Sequence, residues 1–285
     1  MRTRRVGRWA AIVGAAAAVL GAQVLVQLVA APPASAAVPG YQIVSATSVL
    51  DSATYKSVTA TCPAGKRVIG TGFHLLGAQG DVILDDLIPT ATTVTVGAGE
   101  DQDGTSANWK ITALAVCANA PAGIEIVTVT SAFGVGTGKN ASASCPSGKR
   151  LLGTGTALAN GFGQVSVSNL TLSDTAVFAF AADDQDGYSA GWSVTAYAIC
   201  ANPLAGLEIK TGSSANDSST QKLVSANCSA GKKALGQGWG MGGDGQVYVN
   251  YFGIGDTGVT HVANEDDDGY TPNWSIVAAV ICATA

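Results

Sequence analysis

The sequence predicts an all-β protein of three tandem, disulfide-stapled antiparallel units of about 80 residues. Each unit is read as β-sandwich-like, with a three-fold β-prism-like arrangement as the alternative. Three observations carry this reading. Cys62, Cys145 and Cys228 recur at steps of 83 residues, and Cys117, Cys200 and Cys282 at steps of 83 and 82. Trp109, Trp192 and Trp274 keep the same step. Short Val/Ile/Thr-rich runs alternate with Gly, Pro, Asn and Asp clusters, about six per unit, and no window sustains a helical period.

Residues 1–36 read as a secretory signal peptide. Arg2, Arg4, Arg5 and Arg8 precede an Ala/Val/Leu-rich run, and "APPASAA" offers a small-residue cleavage site after Ala36. A membrane anchor is the competing reading of the apolar run, and the Pro32-Pro33 break argues against it. "TRRVGR" has the paired arginines of a twin-arginine signal, but Gly7 stands where an apolar residue is usual. Removal of this segment leaves 11 basic residues against 20 acids, a net charge of −9. That balance argues against nucleic acid or an anionic membrane as partner. Six cysteines in a secreted chain imply disulfides.

The three repeats then run over 37–123, 124–206 and 207–285. Their openings match ("YQIVSATS", "IEIVTVTS", "LEIKTGSS"), as do the joints "CANAPAG" and "CANPLAG". In "WKITALAVCA" the two-residue period puts Trp109, Ile111, Ala113, Ala115 and Cys117 on one face. Leu114 and Val116 on the other are apolar too, so this strand is expected to be covered on both sides. Pro63-Ala64-Gly65 reads as a three-residue hairpin loop, repeated at Pro146-Ser147-Gly148 and Ser229-Ala230-Gly231. A G-x-G follows each loop (Gly70/Gly72, Gly153/Gly155, Gly236/Gly238), which signals close approach of another group. The repeated Trp is expected to lie over these glycines.

Each repeat holds one Cys before its loop and one in its last strand. Repetition favours Cys62–Cys117, Cys145–Cys200 and Cys228–Cys282, while pairing across a joint, such as Cys117–Cys145, stays open. A bridge over a loop of this length contributes roughly 4 kcal/mol by restricting the unfolded chain.

Charge is confined to two loops per repeat. Ten of the 20 acids lie in "EDQDG", "DDQDG" and "EDDDG", and six of the 11 basic residues lie in "GKR" or "GKK". Three chemistries compete for the acidic loops. Calcium would use Glu100, Asp101, Asp103, Asp183, Asp184, Asp186, Glu265, Asp266 and Asp268 as hard oxygen ligands. However, no EF-hand Glu follows, and the candidate partners Asp85-Asp86 become Ser168-Asn169 and Asn250-Tyr251. Acid–base hydrolysis needs two carboxylates across a cleft, which adjacent acids on one loop do not supply. His74 and His261 do not repeat, so no nucleophilic set does either. The favoured reading is structural: carboxylates that accept backbone N–H groups and pair with Lys66-Arg67 or their counterparts. No catalytic residue and no cofactor are expected, calcium being the one candidate.

"CPAGKRVIGTG", "EDQDGTSANW" and "WSVTAYAICA" resemble repeats of secreted proteins from high-GC Gram-positive bacteria, over nearly all of 41–285. That resemblance brings no activity with it. The "CPxG…G" to Cys pattern is also similar to that of the vitelline membrane outer layer proteins, which implies a three-fold β-prism and carbohydrate binding, although their units are shorter. The expected function is a secreted, non-catalytic binding or surface-interaction protein for carbohydrate or another extracellular polymer. Tandem weak sites would add avidity. The alternative is a secreted hydrolase using carboxylates of the acidic loops. Neither nucleic acid nor, once the leader is removed, a membrane is expected as partner.

Overall fold

The computed structural model describes residues 38–161, 163–243 and 245–284, so the predicted leader and its cleavage site lie outside the described residues. The fold is all-β, and each repeat contributes six strands. The first holds β1 (Gln42–Thr47), β2 (Tyr55–Thr61), β3 (Lys66–Leu76), β4 (Val82–Pro89), β5 (Thr93–Glu100) and β6 (Lys110–Asn119). The second holds β7 (Glu125–Thr130), β8 (Gly138–Ser144), β9 (Arg150–Ala159), β10 (Val165–Leu172), β11 (Ala176–Asp183) and β12 (Ser193–Ala201). The third holds β13 (Glu208–Ser213), β14 (Gln221–Asn227), β15 (Lys232–Met241), β16 (Val247–Ile254), β17 (Gly258–Glu265) and β18 (Ile276–Thr284).

No sheet belongs to one repeat. The three six-stranded sheets run β1-β6-β3-β16-β17-β14, β13-β18-β15-β10-β11-β8 and β2-β5-β4-β9-β12-β7. Each is half one repeat and half another, and the sharing is cyclic: first with third, third with second, second with first. Of the two arrangements the sequence allowed, the strands adopt the three-fold one. The halves meet over short ladders, such as Tyr251↔His74 and Phe252↔Phe73 in the first sheet.

The glycines explain why the halves meet there. A Cβ on Gly70 would strike the Leu235 carbonyl oxygen, one on Gly153 that of Ile69, and one on Gly236 that of Leu152. Each repeat thus receives the backbone of the one before it, in cyclic order, against a position where only glycine fits. The residues between the glycines close the ring. Thr71 Oγ1 donates to the Thr154 carbonyl (2.6 Å), Thr154 Oγ1 to the Gln237 carbonyl (2.5 Å), and Gln237 Nε2 to the Thr71 carbonyl (3.0 Å). All three side chains are buried. The expectation that Trp lies over these glycines is corrected: the close neighbour is main chain, and the Trp residues lie at one end of the sheets.

The strand predicted to be covered on both sides is so. Trp109, Ile111, Ala113, Ala115 and Cys117 are buried on one face, Leu114 and Val116 on the other. The disulfides join Cys62–Cys117, Cys145–Cys200 and Cys228–Cys282, each within its repeat, as is typical of proteins in oxidising compartments. The Pro63–Gly65 turn also forms, with the Lys66 amide donating to the Pro63 carbonyl (3.0 Å) and Gly65 at φ +81°. It is not a hairpin, because β2 and β3 belong to different sheets. The turn instead carries the chain from one sheet to the next, a path that local turn chemistry does not distinguish from a hairpin.

Candidate functional site

The basic and acidic loops occupy opposite ends of the sheets, because β3 begins at Lys66 and pairs at its far end with the start of β6, beside Trp109. An 11-residue strand spans roughly 35 Å. The expected pairing of the acidic loops with Lys66-Arg67 is therefore absent. Lys66 Nζ donates to the Gly40 carbonyl (2.6 Å), while Lys149 pairs with Glu125 and Lys232 with Glu208.

In the first and third loops the first acid serves the core Trp. Trp109 Nε1 donates to Glu100 Oε1 (3.2 Å) and Trp274 Nε1 to Glu265 Oε1 (2.9 Å). Asp183 is one methylene shorter. Trp192 Nε1 turns to the Gly136 carbonyl (2.9 Å), and Asp183 accepts the Tyr188 amide (3.1 Å). A lysine covers each ring: Lys56 at 4.7 Å from Trp109, Lys139 at 5.3 Å from Trp192 and Lys222 at 5.2 Å from Trp274. Lys56 also pairs with Asp51, and Lys222 with Asp217.

The second acid builds the turn. Asp101 Oδ1 accepts the amides of Asp103 (3.2 Å) and Gly104 (3.1 Å). Asp184 accepts that of Gly187 (3.1 Å) and Asp266 that of Gly269 (3.0 Å). Gly104, Gly187 and Gly269 all sit at positive φ, which makes glycine the suitable residue there. Backbone capture, the first half of the structural expectation, is thus present.

What the sequence did not reveal is that the three loops meet. Asp101, Asp103, Asp184, Asp266, Asp267 and Asp268 line one recess of about 10 Å³, room for about one water, with Tyr248 at its wall. Glutamines stitch two of the three seams. Gln164 Nε2 donates to Gln102 Oε1 (2.6 Å), Gln246 Nε2 to Gln185 Oε1 (2.8 Å), and Gln185 also reaches Asp268. Burial and neighbouring carboxylates push Asp101 and Asp266 up to about 6. Asp186 accepts from Gln102 Nε2 at 3.5 Å. Among the described residues, no group of three or more His, Cys, Asp and Glu side chains is arranged to hold a metal ion.

A groove at the same end is built mainly on the first repeat, with Gly163 and Val165 of the second. It measures about 480 Å³, and its walls include Tyr55, Ile83, Leu84, Asp85, Glu100 and Val165. Its origin is visible by comparing repeats at one register. Gly97 pairs with Asp86, where the other repeats have Phe180 and Val262. The missing side chain leaves room for the Tyr55 ring, whose hydroxyl donates to Asp86 Oδ2 (3.3 Å). Gly138 and Gln221 occupy the register of Tyr55. A β-bulge in β4 presents Asp85, at the register of Ser168 and Asn250.

No protein-family model and no curated protein matches the chain. The site must therefore be read from its own chemistry.

Burial, reinforced by the charge of Asp86, pushes Asp85 up to about 7, and burial raises Asp86 as well. The Tyr55 hydroxyl is raised by burial and by both carboxylates. An amphipathic ring, the Asp85 carboxyl and an apolar floor thus face one groove, with Asp86 behind the Tyr55 hydroxyl. Both histidines lie elsewhere. His74 stacks on Tyr251 at 4.0 Å between centroids, and His261 is buried against Gln237 Oε1 (3.0 Å). Burial holds His261 down to about 3.

Proposed function

We propose that the protein is a secreted, non-catalytic binding protein for carbohydrate or another extracellular polymer, held in the groove of the first repeat. The observation that carries this reading is the Tyr55–Asp86 pair over Gly97. An exposed ring offers an apolar face to a sugar's C–H surface, and the Asp85 carboxyl beside it fixes its hydroxyls. Gly97 replaces Phe180 and Val262, and Tyr55 replaces Gly138 and Gln221, so one repeat of three is specialised. Loops at the same end present Val49, Leu50, Phe133 and Val135 to solvent, which extends the contact area a polymer could use. Three disulfides and the leader-like N-terminal segment support an extracellular address.

Retention on a panel of insoluble polysaccharides, together with a glycan array, tests the reading. Tyr55→Ala is expected to weaken retention about tenfold, the loss of about 1.4 kcal/mol of contact. Equal retention of wild type and variant on every polymer would defeat it. A hydrolase is the second reading, favoured by one observation: Asp85, raised to about 7 in the wall of this groove, is suited to give up a proton near neutral pH. Release of soluble products from the same polymers, lost in Asp85→Asn, would establish that activity instead.

A further inference from the structure

A different groove, at the basic end, is revealed by comparing the three joints between repeats. At the joint of third and first repeats the fold supplies its own occupant. Lys233 Nζ pairs with Asp256 Oδ2 at 2.7 Å and stands 5.6 Å from the centre of the Tyr41 ring. The Tyr41 hydroxyl donates to the Ala234 carbonyl (2.9 Å). A carboxylate and an aromatic ring are thus already in place beside the cation.

At the joint of second and third repeats the occupant is reduced. Leu207 stands at the register of Tyr41, and Asp174 still lines the groove with Arg150. That groove measures about 120 Å³. At the joint of first and second repeats both parts are gone. Ile124 stands at the register of Tyr41, and Ala91 at that of Asp174 and Asp256; the carbonyls of these last three accept the equivalent amides of Val68, Leu151 and Ala234, each next to the basic residue. The groove opens to about 260 Å³ between Arg67, Val68, Ile124 and Ile126. Glu125, on its rim, is committed to Lys149. Arg67 is half-buried and, among the described residues, its side chain has neither an ion pair nor a hydrogen bond.

We infer that this groove binds a compact aryl carboxylate, its carboxylate on Arg67 and its ring on Ile124 and Ile126, in the places that Asp256 and Tyr41 fill at the third joint. A guanidinium offers a carboxylate two parallel N–H donors, and the apolar walls lower the cost of pairing by excluding water. Ala91 makes the difference, because an acid there would satisfy Arg67 from within.

Benzoate is the probe, with uncharged benzamide as its control, in titrations of the full chain followed by calorimetry and by amide shifts of residues 66–68 and 124–126. Saturable benzoate binding is expected, about tenfold or more tighter than benzamide, and weakened about tenfold or more by Arg67→Gln. Ala91→Asp should abolish it while preserving the melting temperature, since the other two repeats carry Asp at this register. Tyr55→Ala, at the opposite end, should leave it unchanged, which separates this site from the polymer groove. Absence of saturable binding, equal affinity for benzamide, or undiminished binding by Ala91→Asp would each overturn the inference.

Discussion

Asp267 faces Asp81 across the seam between the third and first repeats, at the register where Gln185 meets Gln246 and Gln102 meets Gln164. Two seams thus carry an amide hydrogen bond and the third carries two carboxyl groups. The hydrogen bond to Asp81 raises the Asp267 pKa, with partial burial and the charges of Asp81 and Asp103 adding to it. A carboxylate whose folded pKa lies above its unfolded value destabilises the fold when ionised. The cost is present at neutral pH and fades as pH falls through the folded pKa toward the unfolded one. Asp267→Gln should therefore stabilise the protein at pH 7.5 by about 0.5 kcal/mol, the scale of an exposed charge pair. That is one to two degrees of melting temperature, roughly, for a body of this size. The difference from wild type should shrink toward pH 4. A gain independent of pH would show that charge is not its origin.

Neighbouring aspartates in one loop should behave differently. Asp101 accepts two backbone amides, whereas the Asp103 side chain is exposed and accepts neither of them. Asp101→Ala leaves two N–H groups without an acceptor and should cost about 1–2 kcal/mol. Asp103→Ala should stay within about 0.5 kcal/mol. Urea denaturation of both variants checks the pair, and equal losses would mean that the cluster's charge, rather than its turn, supports the loop.

The cysteine and tryptophan steps made the repeat and the disulfides legible, because a bridge and a core ring need the same neighbours in every copy. Sharing of sheets between repeats was not legible. A strand with a two-residue period is satisfied by any apolar face, so Trp109 to Cys117 reads alike in a sandwich and in a three-fold body. The G-x-G motif announced a close approach without naming the visitor, which is the main chain of another repeat. Convergence of the acidic loops follows from that closure, so no local pattern around Asp101 could show it. The groove of the first repeat left one trace: Gly97 stands where Phe180 and Val262 stand, and Tyr55 where Gly138 and Gln221 do. Repeats that agree almost everywhere draw attention to the register where one of them departs.

A single repeat should not fold alone. Residues 124–206 place β9, β12 and β7 in one sheet and β10, β11 and β8 in another, and each set needs the other half of its sheet from a different repeat. Its central glycines would also face water in place of the Ile69 and Leu87 carbonyls. The intact chain is expected to melt in one cooperative transition, and the isolated, oxidised 124–206 fragment to lack near-ultraviolet dichroism. A cooperative melt of that fragment would show that the repeats are independent domains.

Gly153, like Gly70 and Gly236, should tolerate no side chain on the shared axis. An added Cβ would run into the Ile69 carbonyl oxygen and the Gly70 Cα, both main chain, while the Ile199 side chain closes the third side. Neither backbone can retreat, since Gly70 itself packs against the Leu235 carbonyl and the neighbouring Thr71 is tied to Thr154. A strain that a flexible side chain would absorb is therefore passed around the ring. Gly153→Ala is expected to cost more than about 3 kcal/mol, at the upper end of overpacking effects. Gly242 is the control: its nearest neighbour would be Trp274 Cβ at 4.0 Å, so Gly242→Ala should stay within about 0.5 kcal/mol. Chemical denaturation of both variants decides the matter. If Gly153→Ala unfolds at the wild-type midpoint, the three repeats are not held by contact of their backbones at these glycines.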